Sequence, residues 1–239
     1  MNLVTLQTLT TDDFDKNLST LLKLIEQVDE NSFIVAPELC LNGYAYDRLD
    51  ESVEITNKAI PLLQELSATK TITLTLTQKK DDKHINTLHI FHKGKIIHTQ
   101  SKVELFVLND ERKYFTAGQE EDIKIIEIDG LKIACLICFE LRFIDLWKKI
   151  QGADIVLIPA MWGKLRKENF ETLTRGLAVM NQCFVIASDS ANNDMAKSSG
   201  IITPFGEEYR DDNKIVLEKN VDLSEIKKMR RYMRVGINP

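Results

Sequence analysis

A chain of 239 residues with 44% hydrophobic and 28% charged side chains can bury a full core without help from a disulfide or a metal. Its net charge of -5, from 31 basic and 36 acidic residues mixed along the chain, excludes the basic stripe that nucleic-acid binding needs. No apolar run approaches the ~20 residues of a membrane span, and the start MNLVTLQTLTTDDFDKN lacks the basic opening and apolar stretch of a signal peptide. The expectation is a soluble cytoplasmic protein whose four cysteines stay reduced.

In chain order, residues 3–7 read as a strand. Residues 12–30 form a helix, because Phe14, Leu18, Leu21, Leu22 and Ile25 recur at spacings of three and four. Residues 33–36 form a short buried strand stopped by Pro37. A helix over 51–68 leads to a strand at 71–77, rich in β-branched side chains, and a hairpin of 85–92 with 95–99 turns at Lys93-Gly94. A polar stretch over 101–121 precedes a strand at 123–128, a turn at Asp129-Gly130 and an apolar strand at 132–137. Helices at 142–150 and 168–181 then alternate with strands at 154–158 and 183–188. Short strands at 201–203 and 214–217 flank a turn at 204–207, and a last helix starts near Asp222-Leu223-Ser224. The basic cluster Lys227, Lys228, Arg230, Arg231 and Arg234 reads as a solvated face of that helix.

This alternation predicts one α/β domain over residues 1–239. Roughly ten strands suit a four-layer α-β-β-α sandwich, with two mixed sheets packed together and flanked by helices.

Cys40, Cys135, Cys138 and Cys183 are scattered, and only Cys135-Leu136-Ile137-Cys138 has a C-x-x-C spacing. Its middle residues belong to an apolar β run, where positions three apart point to opposite faces, so the two thiols should not meet. No second cysteine or histidine pair completes a zinc site, so neither metal nor cofactor is expected. His84, His89, His92 and His98 cluster at one hairpin and read as surface strand residues. Cys138 differs by position, at a strand-to-helix junction where a side chain is lifted beyond the sheet edge and the next backbone N–H groups face it. On position alone, a small core residue is the commoner fate of an intracellular cysteine.

Three ordered motifs change that balance. Cys138-Phe139-Glu140-Leu141-Arg142-Phe143 resembles the nucleophile motif of the nitrilase superfamily, the carbon–nitrogen hydrolases. Ala36-Pro37-Glu38-Leu39 with Asn42-Gly43-Tyr44 resembles its glutamate motif, and Ser101-Lys102-Val103-Glu104-Leu105-Phe106 its lysine motif. The separations, 64 residues from Glu38 to Lys102 and 36 from Lys102 to Cys138, are similar to the family's, and further matches run from Ile158-Pro159 and Trp162 to Gly206. Two departures are Ile144, where the family commonly has proline, and Leu177-Ala178-Val179-Met180-Asn181, which lacks an arginine found in its later helix.

The resemblance implies Cys138 as nucleophile, Glu38 as general base and Lys102 as cationic partner. Glu111 is the best match to a second glutamate, ahead of Asp110 and Glu104. It also implies substrate contacts from Phe139 and Trp162, with the Phe139 N–H serving the oxyanion. The residue types suit acyl transfer, since a thiol attacks well only once a base has taken its proton, and no histidine is required. The implied reaction is hydrolysis of a small amide, nearest in appearance to the ω-amidases, by a homodimer or higher homo-oligomer. An N-carbamoyl hydrolase and a catalytically silent binding subunit are the alternatives.

Overall fold

The computed structural model describes residues 1–238. In chain order it holds β1 (Asn2–Leu6), α1 (Phe14–Gln27), β2 (Phe33–Val35), α2 (Leu49–Leu66), β3 (Thr71–Lys80), β4 (Lys83–His92), β5 (Lys95–Ser101) and α3 (Glu111–Tyr114). Next come β6 (Ile126–Ile128), β7 (Leu131–Cys135), α4 (Ile144–Lys149), β8 (Ile155–Pro159), α5 (Lys167–Asn181) and β9 (Phe184–Ser188). The chain ends with β10 (Gly200–Ile202), β11 (Glu208–Arg210), β12 (Val216–Asn220) and α6 (Ser224–Tyr232).

Local chemistry explains the element ends. Asp13 caps α1 by accepting the Lys16 N–H at 2.9 Å, and Phe14, Leu18, Leu21 and Ile25 line the helix's buried stripe. Lys93-Gly94 and Asp129-Gly130 both lie at positive φ, the geometry of tight hairpin turns.

The strands form two mixed six-stranded sheets, ordered β12-β1-β2-β3-β4-β5 and β11-β10-β9-β8-β7-β6. In the first, β1, β2 and β3 run parallel and are joined through α1 and α2. In the second, β7, β8 and β9 run parallel and are joined through α4 and α5. Each sheet is thus built around one βαβαβ unit, the arrangement that places ligand sites at the carboxyl ends of parallel strands.

The four layers follow from side-chain parity. Ile72, Leu74 and Leu76 of β3 pack with Ile34, Phe91 and the apolar faces of α1 and α2. The alternate residues Thr71, Thr73, Thr75 and Thr77 are buried on the opposite face. Leu3, Phe33, Val35, Leu88 and Ile90 of the first sheet share a second core with Ile133, Val156 and Ile186 of the second sheet, and with Leu146, Phe170 and Leu177 of its helices. β1 and β9 meet directly, where the Thr5 hydroxyl donates to the Ala187 carbonyl at 2.8 Å.

Several expectations need correction. β3 runs on to Lys80 and turns through Asp81-Asp82, both at positive φ, so this hairpin lies outside the strand limits expected from β-branched content. Aspartate tolerates that region because its short side chain bonds locally. β11 was not expected at all; its residues Glu208, Tyr209 and Arg210 show no apolar alternation. Arg230 is not solvated. It is 4% exposed and fastens α6 to the start of β8 through Asp154 at 3.0 Å and the Ala153 carbonyl at 2.6 Å. Nor are the histidines all on the surface, since His89 and His98 are buried.

His89 carries a testable consequence. Burial, partly opposed by the Thr87 carbonyl, pushes its imidazole down from 6.5 to about 4. The stability of a buried neutral imidazole is therefore full above about pH 6.5, where neither state is protonated. It is lost as pH falls toward 4, because the unfolded chain binds a proton that the folded one refuses. Denaturant unfolding at pH 7 and pH 4.5 should show a loss about 2 kcal/mol smaller for His89→Gln than for the unaltered protein. Equal losses would contradict this.

Candidate active site

Three strand ends and one short helix converge between the sheets. Beyond β2 the chain is held on the threonine face of β3. The Leu39 N–H donates to Thr75 Oγ1 at 2.7 Å, and Asn42 Nδ2 donates to Thr77 Oγ1 at 3.2 Å. The Glu38 N–H donates across to the second sheet, to the Ala160 carbonyl at 3.1 Å. Glu38 is fully buried. Its Oε1 accepts from Asn86 Nδ2 at 2.8 Å and Lys102 Nζ at 2.9 Å, while its Oε2 has no hydrogen-bond partner.

Lys102 follows β5 and is equally buried. Its N–H donates to the Asn86 carbonyl and its carbonyl accepts from Gly118, both at 2.8 Å. A Cβ on Gly118 would lie 2.4 Å from the Ser101 carbonyl oxygen, so only glycine allows this approach. The Lys102 ammonium reaches Glu38 Oε1 at 2.9 Å, Tyr44 Oη at 3.0 Å and Glu111 Oε2 at 2.9 Å. Its three donors are thereby committed. Glu111, the first residue of α3, also accepts the Phe106 N–H at 2.6 Å and the Tyr44 hydroxyl at 3.3 Å. Asp110 instead pairs with Lys113 at the surface.

Cys138 follows β7 at φ 50°, a left-handed conformation that costs a non-glycine residue roughly 1–2 kcal/mol. It opens a tight turn over residues 138–142. The sequence reading expected its thiol to be lifted into the open, yet the residue is 7% exposed and is reached only through a cavity. Cys135 points into the core, and all four thiols are free.

Charge sets the resting state. Burial alone would lower the Lys102 pKa, but the negative charge beside it, that of Glu38 first, outweighs burial and raises it, keeping the ammonium. Burial raises Glu111, against the pull of Lys102. The Cys138 thiol is raised well above its ordinary value by burial and by Glu38, against Lys102 and a backbone hydrogen bond from Met161. At rest the thiol therefore holds its proton, with a buried carboxylate beside it.

The cavity above Cys138 encloses about 390 Å³, enough for a small molecule. Tyr44, Lys102, Phe106, Met161, Arg166 and Met195 are among its walls. Phe139 and Trp162 line a smaller adjoining hollow that shares Cys138 and Met161 with it. Phe139 is packed edge-on to Phe106 and Phe143, with ring centres 5.0 and 5.3 Å apart. Trp162 is 3% exposed, and its ring lies 5.1 Å below the Arg142 guanidinium. Asp189, buried at the end of β9, accepts the Trp162 N–H at 2.7 Å and so holds the loop that carries Met161.

Glu38, Lys102, Glu111 and Cys138 are thus brought together as expected, and Phe139 and Trp162 border them. Sequence reasoning gave no role to Tyr44, Asn86, Met161 or Arg166. Tyr44 stood in the quoted Asn42-Gly43-Tyr44 motif, which was a usable signal. Asn86 and Met161 lie in ordinary strand and loop contexts, and Arg166 is one of several basic residues in Lys164-Leu165-Arg166-Lys167.

Comparison with known proteins agrees with this geometry. The carbon-nitrogen hydrolase family matches residues 3–231. The chain is 30% identical to the 2-oxoglutaramate amidase of Bacillus subtilis (strain 168), covering 84% of this chain and 82% of that protein. It is 25% identical to the omega-amidase YafV of Escherichia coli (strain K12), covering 82% and 78%. Its fold is that of Saccharomyces cerevisiae Nit3, a member of branch 10 of the nitrilase superfamily, with TM-score 0.86 at 23% identity over 99% and 95% of the two chains. Sequence, fold and relatives agree that the chain belongs to the carbon–nitrogen hydrolase family and is a hydrolase of the amidase type.

Proposed function

We propose that the chain hydrolyses a small amide through a thioester on Cys138, with Glu38 as general base, Lys102 as fixed cation and Glu111 as its anchor. The carrying observation is Glu38 Oε2, a buried carboxylate oxygen with no hydrogen-bond partner, on a residue whose charge raises the Cys138 thiol. Oε1 is engaged by Asn86 and Lys102, which leaves Oε2 to take the thiol proton.

As Glu38 takes that proton, Sγ attacks the amide carbonyl and a tetrahedral oxyanion forms. The Phe139 N–H, in the turn that Cys138 opens, and the Met161 backbone beside Cys138 in the cavity wall are the donors we assign to the developing charge. Lys102 acts through its charge, because its donors are held by Glu38, Tyr44 and Glu111. Collapse expels the amine, which takes the proton from Glu38 and leaves a thioester. Water then gives a proton to Glu38 and attacks the thioester; the departing sulfur recovers that proton and the carboxylic acid is released.

Arg166 supports a finer reading of the substrate. Its guanidinium lines the cavity 4.9 Å from the Phe106 ring and, among the described residues, pairs with no carboxylate. We read the substrate as an amide that also bears a carboxylate, in keeping with the names of the 2-oxoglutaramate and omega-amidase relatives. The resemblance likewise supports a single cytoplasmic hydrolase domain working as a homodimer or larger assembly.

Glu38→Gln should remain folded and lose at least about 100-fold in kcat on small amides, as should Cys138→Ala. Ammonia release at the native rate from Glu38→Gln would remove Glu38 from the chemistry, and carbon dioxide accompanying the ammonia would indicate a carbamoyl substrate instead. Arg166→Leu should raise KM about tenfold for carboxylate-bearing amides and leave neutral amides unaffected; equal effects on both would refute the anchor. Glu111→Ala, which takes one of two carboxylates from Lys102 and leaves the Phe106 N–H unpaired, should cost about 3–5 kcal/mol in denaturant unfolding. A loss below about 1 kcal/mol would show that Glu111 does not hold the cation.

A further inference from the structure

One buried carboxylate takes no part in the proton transfers above. Glu140 is fully buried and makes no ion pair among the described residues. Its Oε1 accepts the Val103 N–H and its Oε2 accepts the Ile137 N–H, each at 2.7 Å. Its own N–H closes the turn by donating to the Ile137 carbonyl at 3.0 Å. Val103 directly follows Lys102, and Ile137 directly precedes Cys138. A single carboxylate therefore ties the backbone beside the buried cation to the backbone beside the nucleophile, across two sheets that share no strand.

We infer that Glu140 is a positioning residue that sets the separation of Lys102 from Cys138 and holds Cys138 in its left-handed conformation. This rests on the reading of Cys138 as nucleophile and Lys102 as cation. Two backbone N–H groups aimed at one carboxylate are charge-assisted bonds in a buried site, where losing either leaves a donor unpaired. The bridge needs both oxygens to accept. Glutamine would turn a donor toward one of the N–H groups, and aspartate is one methylene too short to span both. Burial, opposed by the Ile137 and Val103 N–H groups, raises the Glu140 carboxyl to about 7. The charged and titratable groups facing it are Lys102, Glu38 and Cys135. A proton on Glu140 would break one of the two bonds, so the bridge is complete only in the ionised form.

The test compares Glu140→Gln and Glu140→Asp with the unaltered protein on a small amide, with Tm recorded for each. The inference expects folded variants whose kcat falls about 100-fold while KM stays within about threefold, since a displaced nucleophile harms attack more than binding. It also expects an acid limb of kcat that is present in the unaltered protein and absent from Glu140→Gln. A folded variant with kcat within twofold of native, or one whose KM alone changes, would overturn the positioning role. If neither variant folds, amide exchange in the unaltered protein decides. Val103 and Ile137 N–H groups protected as strongly as those of β7 would support the bridge, and rapid exchange of either would overturn it. An unaltered protein that turns over no small amide would instead count against the functional reading, while the exchange result still judges the bridge.

Discussion

A buried ammonium needs partners, and the architecture around Lys102 supplies them. Burial at zero exposure would by itself drive the ammonium toward its neutral form, and negative charge beside it, that of Glu38 first, reverses that pressure. The bonds to Glu38, Tyr44 and Glu111 use all three of its hydrogens. Burial and the charge of Glu38 together raise the neighbouring Cys138 thiol, so that it keeps its proton at rest. A permanent thiolate would add a further buried negative charge that the site cannot balance.

The fold answers this need by stacking two βαβαβ units. Glu38 leaves the parallel part of the first sheet and Cys138 the parallel part of the second, so the two residues meet where the sheets pack together. Lys102 arrives from the hairpin β4–β5, and Glu111 from the short helix that follows. Small devices fix these loops: threonine hydroxyls of β3 under Leu39 and Asn42, the glycine at 118 under Lys102, and Asp189 under Trp162. The cavity is then closed by side chains that do no bond making, among them Phe106, Met161 and Met195. Arg166 stands out in that wall as a cation that pairs with no carboxylate among the described residues.

Much of this was legible in the chain. Glu38, Lys102 and Cys138 sit at ordered motifs, each just beyond a strand, but β7 ends at Cys135, so the parity expected over 132–137 does not reach Cys138. Glu111 lies against Lys102, whereas Asp110 lies on the surface with Lys113. The helices were found because their apolar stripes repeat, and the layered arrangement because strands and helices alternate. Residues whose role depends on distant partners were hidden. Asn86 acts on a residue 48 positions earlier, and Glu140 on a backbone N–H 37 positions earlier, with no local pattern to announce either. The Asp81-Asp82 turn was missed because two aspartates lack the glycine that usually marks such a turn, and Arg230 because a buried arginine and a solvated one look alike in a basic helix.

The central claim is a covalent one, that the substrate's acyl group passes through Cys138 while Glu38 carries the proton. Acid quenching during turnover of a carboxylate-bearing amide, followed by proteolysis and peptide mass analysis, tests it directly. The account predicts a hydroxylamine-sensitive mass increase equal to the acyl group on the peptide containing Cys138, and no adduct or turnover in Cys138→Ala. Turnover that persists in Cys138→Ala, or an acyl group found on another residue, would contradict it.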